Sequence, residues 1–232
     1  MKYLALLSIG FLAFTSCSKR FLDNPTAGSI SILCLGDSRV DGDRPEYEHY
    51  RYELWKLLID SSYTVDFIGT ENDDAAYPDH LGFTFDDQHE GVGGIRTKGL
   101  LKNVRNLRFE SSPQFVLLCV GGNDLLEGKS VDKAISNISK IICELQKDCP
   151  ETTIILEQIA PAHSSSMTSE LDATLNEFNS KIPGLTSEYN NLQIVDMNTG
   201  FTDLYFADDV HYNELGAREV ARRYFTAMQS FL

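Results

Sequence analysis

Five short apolar runs recur along the chain, at residues 30–35, 63–68, 115–120, 152–159 and 192–195. Their lengths suit β-strands, and unbroken stretches such as Ile32-Leu33-Cys34-Leu35 are expected where a strand is buried on both faces. Between them the spacing changes. Tyr47, Tyr50, Leu54, Leu57 and Leu58 fall at helical intervals and predict a helix over 47–58. Further helices are predicted over 95–107, 131–146, 169–188 and 213–231, the fourth kinked near Pro183-Gly184. Strands that alternate with helices imply a single three-layer α/β/α domain, a parallel sheet covered on both faces, with right-handed crossovers. In such a sheet the functional site lies at the carboxyl ends of the strands. The irregular segment 71–93, rich in Asp and Gly, is long enough to expect a functional loop.

The N-terminus follows a different pattern. Met1-Lys2 and the apolar residues that follow form an export leader over 1–16, too short to span a bilayer. Phe14-Thr15-Ser16-Cys17 resembles a bacterial lipobox, so Cys17 is expected to carry lipid and anchor the protein to the cell envelope; an ordinary secretory cut near Ser16 is the other reading. Residues 17–29 look like a tether and 30–232 like the folded domain. The formal charge of -14 excludes nucleic acid as a natural partner, because phosphate binding needs clustered Lys and Arg. Cys34 and Cys119 lie in apolar runs and are expected in the core, while Cys143 and Cys149 are free to pair in an oxidising compartment. No Cys-x-x-Cys pair suggests zinc, and the acids of 71–90 lack EF-hand spacing, so no metal is expected.

Candidate chemistry sits where the strands end. Ser38, in Gly36-Asp37-Ser38, follows the first strand, and a serine there needs a base to become a nucleophile. Taken singly, Gly-Asp-Ser is ordinary turn chemistry. Asp208-Asp209-Val210-His211 precedes the last helix, and a tight turn lets Asp208 orient the His211 imidazole. Asn123, in Gly121-Gly122-Asn123-Asp124, follows the third strand, where its amide can donate to a developing oxyanion. Gly94 lies in a glycine-rich turn ahead of a helix and offers a backbone N–H. His49, His80, His89 and His163 have no evident partner, although the His89 loop should border the site.

The four blocks occur in one order across nearly the whole mature chain, and together they resemble the SGNH, or GDSL-type, hydrolase family. The resemblance implies a flavodoxin-like, five-stranded parallel sheet of order 2-1-3-4-5. It also implies Ser38 as nucleophile, His211 as base and Asp208 as its orienter. The oxyanion hole would come from the Ser38 and Gly94 N–H groups and the Asn123 side chain, with no cofactor. Tyr50-Arg51-Tyr52, Val65-Asp66-Phe67-Ile68-Gly69 and His89-Glu90-Gly91 look more narrowly like the carbohydrate acetylesterase branch, whose substrates would be acylated carbohydrates or other small esters. Ile95 stands where that branch often has Trp, and Arg39 where an apolar residue is usual. Arg39 is read either as a substrate contact or as a solvated or salt-bridged residue, and Arg51 as half of a structural ion pair. Two other activities stay open: a lysophospholipase or thioesterase of the same superfamily, and a non-catalytic glycan-binding lipoprotein.

Overall fold

Strands of a parallel sheet leave no face to water, and the five apolar runs pair side by side. The computed structural model describes residues 19–73 and 75–232, so the expected leader and Cys17 lie outside the described residues. In chain order the elements are β1 (Arg20–Phe21), β2 (Ile30–Gly36), α1 (Ser38–Asp41), α2 (Arg51–Asp60), β3 (Val65–Ile68), β4 (Glu90–Gly91), α3 (Thr97–Asn106) and β5 (Leu107–Arg108). They continue with β6 (Phe115–Cys119), α4 (Gly122–Leu126), α5 (Val131–Asp148), β7 (Thr153–Gln158), α6 (Ser169–Lys181), β8 (Leu192–Asp196) and α7 (Glu214–Met228). The main sheet is ordered β3-β2-β6-β7-β8 with every pair parallel, which is the expected 2-1-3-4-5 order of its five principal strands. Short β4 adds to the end of β2.

The two-residue side-chain period divides the sheet into two cores. Leu33, Leu35, Val116, Leu118, Ile154 and Leu156 point to the layer of α3, α5 and α6. Ile32, Cys34, Phe115, Leu117, Cys119 and Ile155 point to α2 and α7, where Trp55, Leu58, Val220 and Tyr224 cover them. Cys34 and Cys119 are buried core residues, and burial pushes the Cys34 thiol up to about 12. Cys143 is exposed on α5 and Cys149 is buried at its end, and both are free thiols, so the pairing left open from sequence is not made.

Several boundaries differ from expectation. The helix expected over 47–58 begins at Arg51, because the backbone ahead of it makes antiparallel bridges, Asp43 with Tyr47 and Glu48 with Tyr212. The helix expected over 95–107 begins at Thr97, whose N–H donates to the Asp124 carboxylate at 2.8 Å. The fourth helix ends at Lys181 and tightens into a 3₁₀ turn over Ile182–Ser187, since Pro183 has no N–H to continue it. Residues 17–29 are not a free spacer along their described length: β1 pairs with β5, and Leu22 is buried among core residues. Among the described residues no helix is long and apolar enough to cross a membrane.

Arg51 ties the 71–93 segment to the corner after β2. Fully buried, it donates to the carbonyls of Val40 at 2.9 Å, Asp41 at 3.0 Å and Asp87 at 2.8 Å, and to Asp73 Oδ1 at 2.5 Å. The expected ion pair therefore exists, and Asp73 is the acid. Burial works against the Asp73 charge, yet the hydrogen bond from His49, the nearby His89 ring and the Arg51 guanidinium hold its carboxyl well below the usual range. Removing one member of such a pair strands a buried charge. Arg51→Ala is expected to lower the unfolding free energy by about 3–5 kcal/mol in urea titrations.

Candidate active site

The carboxyl end of β2 runs directly into α1, and Asp37 caps that helix by accepting from Arg39 N at 3.1 Å. Ser38 is thus the first helical residue, where a backbone N–H has no partner within the helix. Its Oγ lies 2.9 Å from His211 Nε2. On the other edge of the ring, His211 Nδ1 lies 2.7 Å from Asp208 Oδ2. The turn is built around that carboxylate, since Asp208 Oδ1 also accepts from Val210 N at 2.8 Å and His211 N at 2.7 Å. Partial burial opposes ionisation of Asp208, but the hydrogen bonds from His211 and these two N–H groups outweigh it and hold the carboxyl low. With Asp208 a carboxylate, Nδ1 carries the proton and Nε2 is left to accept one from Ser38.

Ser38 opens onto a solvent-facing cleft. Its walls are mainly apolar, with Leu125 and Leu126 from α4, Ile159 and Ala162 after β7, and Leu171 and Leu175 from α6. Asn123 lines the same cleft and fixes its amide by donating to Ile95 O at 3.1 Å, which leaves a second N–H of the amide for another acceptor. Gly94 is exposed in the turn just before that carbonyl, at φ 69, a conformation that favours glycine. Gly121, at φ 127, lets the β6–α4 corner pass over Phe178, whose ring lies 2.5 Å from where a Cβ would stand. The structure therefore brings Ser38, His211 and Asp208 into one hydrogen-bonded line, places Asn123 at the same cleft, and ties the turn carrying Gly94 to Asn123 through Ile95.

Three residues whose roles sequence reasoning missed support this arrangement. Arg39 is buried at the cleft and makes no salt bridge among the described residues: its guanidinium donates to Val210 O at 2.9 Å, Ala160 O at 2.9 Å and Pro161 O at 2.7 Å, with Tyr212 beneath it at 5.1 Å. It clips the helix that carries Ser38 to the His211 loop and to the cleft wall. Asp124 holds the start of α3, accepting from both Thr97 N and Thr97 Oγ1. Tyr47 lays its ring flat on His211, with centroids 3.8 Å apart and planes 12° apart. The remaining histidines have partners elsewhere: His49 meets Asp73 and Tyr77, His80 meets Asp60, His89 accepts from Gly91 N, and His163 meets Ser165. Among the described residues no group of three or more ligating acids, histidines or cysteines could hold a metal ion.

The GDSL-like Lipase/Acylhydrolase family matches residues 34–219 of the chain, a span that contains Ser38, Gly94, Asn123, Asp208 and His211. This protein belongs to that family. Acyl hydrolysis is the chemistry the family's description names. Among curated proteins, the chain is 24% identical to a multidomain esterase of Ruminococcus flavefaciens, over 97% of this chain and 32% of that protein. The chain thus spans about a third of that relative's length. Among solved structures, a carbohydrate esterase family 3 protein of Talaromyces cellulolyticus superposes with a TM-score of 0.73 at 24% identity, covering 87% of this chain and 97% of the other. An acetyl esterase variant solved with an acetate ion gives a TM-score of 0.71, also at 24% identity, with the same coverage of 87% and 97%. These likenesses establish the SGNH hydrolase fold.

If the guanidinium of Arg39 sets the distance between α1 and the His211 loop, its removal should be felt in turnover. Arg39→Ala is expected to lower kcat by about 10²-fold, the scale associated with misplacing reacting groups by about 1 Å. Arg39→Lys should recover little, because one ammonium cannot span three carbonyls in this fork geometry. Steady-state kinetics of the folded variants on a nitrophenyl ester would check both.

Proposed function

We propose that this protein is a serine esterase that hydrolyses short acyl groups, acetyl foremost, from carbohydrates through an acyl-enzyme. The observation that carries the reading is the continuous line from Ser38 Oγ through the His211 ring to Asp208, with contacts of 2.9 and 2.7 Å. Ser38 attacks the ester carbonyl carbon as His211 Nε2 takes its proton, and the Ser38 and Gly94 N–H groups with the Asn123 amide hold the oxyanion. The imidazolium then protonates the departing alcohol. Water, deprotonated in turn by His211, releases the acid and restores Ser38. Asp208 keeps its charge throughout and stabilises the imidazolium. The acyl and carbohydrate halves of the proposal draw on the names of the structural neighbours and on the acetylesterase-like blocks around Arg51, Phe67 and Glu90.

One observation favours a second reading. The walls beside Ser38 are mainly apolar, which would suit the acyl chain of a lysophospholipase or thioesterase substrate. The expected location is the bacterial cell envelope, with lipid on Cys17, a reading supported by the leader and the residues preceding Cys17. A non-catalytic glycan-binding role would leave Ser38 unreactive, so labelling by a serine-directed fluorophosphonate separates it from both esterase readings.

Ser38→Ala is expected to lower turnover by on the order of 10⁴ to 10⁶. Asn123→Ala should cost about 10² to 10³, because the backbone donors remain. Acetate release from acetylated polysaccharides, run beside nitrophenyl esters of increasing chain length, measures both losses. It also decides the acyl group: long-chain activity without acetate release overturns the acetyl reading. Because only neutral imidazole can take the serine proton, kcat/KM should fall as pH is lowered, and a flat profile into strong acid would contradict a histidine base.

A further inference from the structure

Both edges of the His211 ring are engaged, Nδ1 by Asp208 and Nε2 by Ser38, yet two in-plane hydrogen bonds do little to stop the imidazole tilting about the line between them. Asp208 alone gives soft support, since its side chain is 50% exposed and water screens its charge. A face contact restrains that tilt, and Tyr47 supplies one. Backbone pairing, rather than the ring itself, puts Tyr47 there. Glu48 N donates to Tyr212 O at 2.8 Å, and residues flanking such an antiparallel bridge turn to its opposite face, so Tyr47 and His211 emerge together. Tyr47 N also donates to Asp43 O at 3.1 Å, which closes the turn behind it. Burial, with Asp43, Asp41 and Asp208 nearby, pushes the phenol up to about 12, so the ring is a neutral π surface across the working pH range. The negative face of an aromatic ring attracts a cation more than a neutral partner.

We infer that Tyr47 is a positioning residue whose ring face keeps the His211 imidazole aligned between Ser38 and Asp208 and stabilises the imidazolium formed during acyl transfer. The catalytic half of this inference rests on the esterase reading, whereas the stacking and its preference for the charged ring do not. The titratable or charged groups around the imidazole are Asp208 and Asp209 on its own loop, Asp37, Ser38 and Arg39 at the β2–α1 corner, and Tyr47 with Asp41 and Asp43 behind it. The acids favour the protonated ring and the Arg39 guanidinium opposes it; among the described residues Tyr47 is the aromatic ring stacked on its face.

The test compares Tyr47→Phe, which keeps the face, with Tyr47→Leu, which keeps bulk without it. His211 is titrated by imidazole NMR, and kcat and KM are measured on nitrophenyl acetate across pH. Tyr47→Leu should lower kcat by about tenfold with KM within about twofold, and move the titration midpoint and the acid limb down by about one pH unit. Tyr47→Phe should stay within about twofold of wild type on every measure. Tyr47→Trp, which presents a larger face, guards against misfolding of the Leu variant and should also keep the wild-type midpoint or raise it. A wild-type midpoint in folded Tyr47→Leu overturns the inference, as does a Tyr47→Phe loss equal to that of Tyr47→Leu, which would assign the effect to the hydroxyl. Ser38→Ala run alongside judges the esterase reading separately. If Ser38→Ala keeps full turnover that reading fails, while the His211 titration still decides the role of Tyr47.

Discussion

A hydroxyl and an imidazole 173 positions apart in the chain must be held 2.9 Å from each other, and much of the architecture serves that one contact. Neither group sits on a strand, so the sheet fixes only the ends of the loops that carry them. The remaining distance is set by polar groups that cross between loops. Arg39 reaches from the helix that carries Ser38 to Val210 O beside His211, and Glu48 N reaches Tyr212 O from the segment ahead of α2. These contacts flank His211 on both sides along the chain. A loop pinned at the residues before and after its functional side chain has little freedom to swing it away.

The same corner concentrates buried charge, which a core avoids unless something compensates it. Asp37 is almost fully buried and its carboxyl is pushed upward by that burial, with Arg39 and the Arg39 N–H pulling the other way. Glu157, next to last in strand β7, is pushed up to about 7 by burial while Tyr224 donates to it at 2.6 Å. Arg51 and Asp73 form a second buried charged group behind α1. A helix of four residues has almost no stability of its own. Its carbonyls at Val40 and Asp41 are instead held by the Arg51 guanidinium, and its side chain at Arg39 is held by the opposite loop.

The sequence was most legible where one local rule decides the outcome. Strands β2 and β6 are unbroken apolar runs because both faces are buried, and that pattern survives without knowledge of any neighbour. The order of the sheet followed from the family resemblance, whose motifs mark the corners after β2 and β6. Legibility failed where a contact distant in sequence overrides a local preference. Tyr47 has helical spacing with Leu54 and Leu58, but its backbone pairs with Asp43 and its neighbour's pairs with Tyr212, and nothing nearby announces either. Arg39 next to a nucleophile suggests substrate, because its three carbonyl partners lie 121 residues or more away. Residues 20–22 look like spacer because the partner strand, β5, follows only after six further elements.

The distribution of polarity around α1 bears on which half of an ester goes where. At the N-terminal end of the helix, the cleft walls are Leu, Ile, Ala, Pro and Met side chains from α4, the β7–α6 connection and α6. Near its C-terminal end the exposed Asp43 and Asn72 and the half-buried Asp41 and Arg44 surround a separate polar hollow. A sugar pressed against the apolar walls would leave its hydroxyls without partners, at roughly 1–3 kcal/mol for each one desolvated. A hydrocarbon chain there gains about 0.8 kcal/mol for each methylene it buries. For the carbohydrate ester proposed above, this polarity favours the acyl group in the cleft and the polyhydroxylated alcohol outside it. On that proposal, acyl-chain preference depends on how deeply Leu171 and Leu175 allow a chain to enter, a property of α6 and not of Ser38, His211 and Asp208.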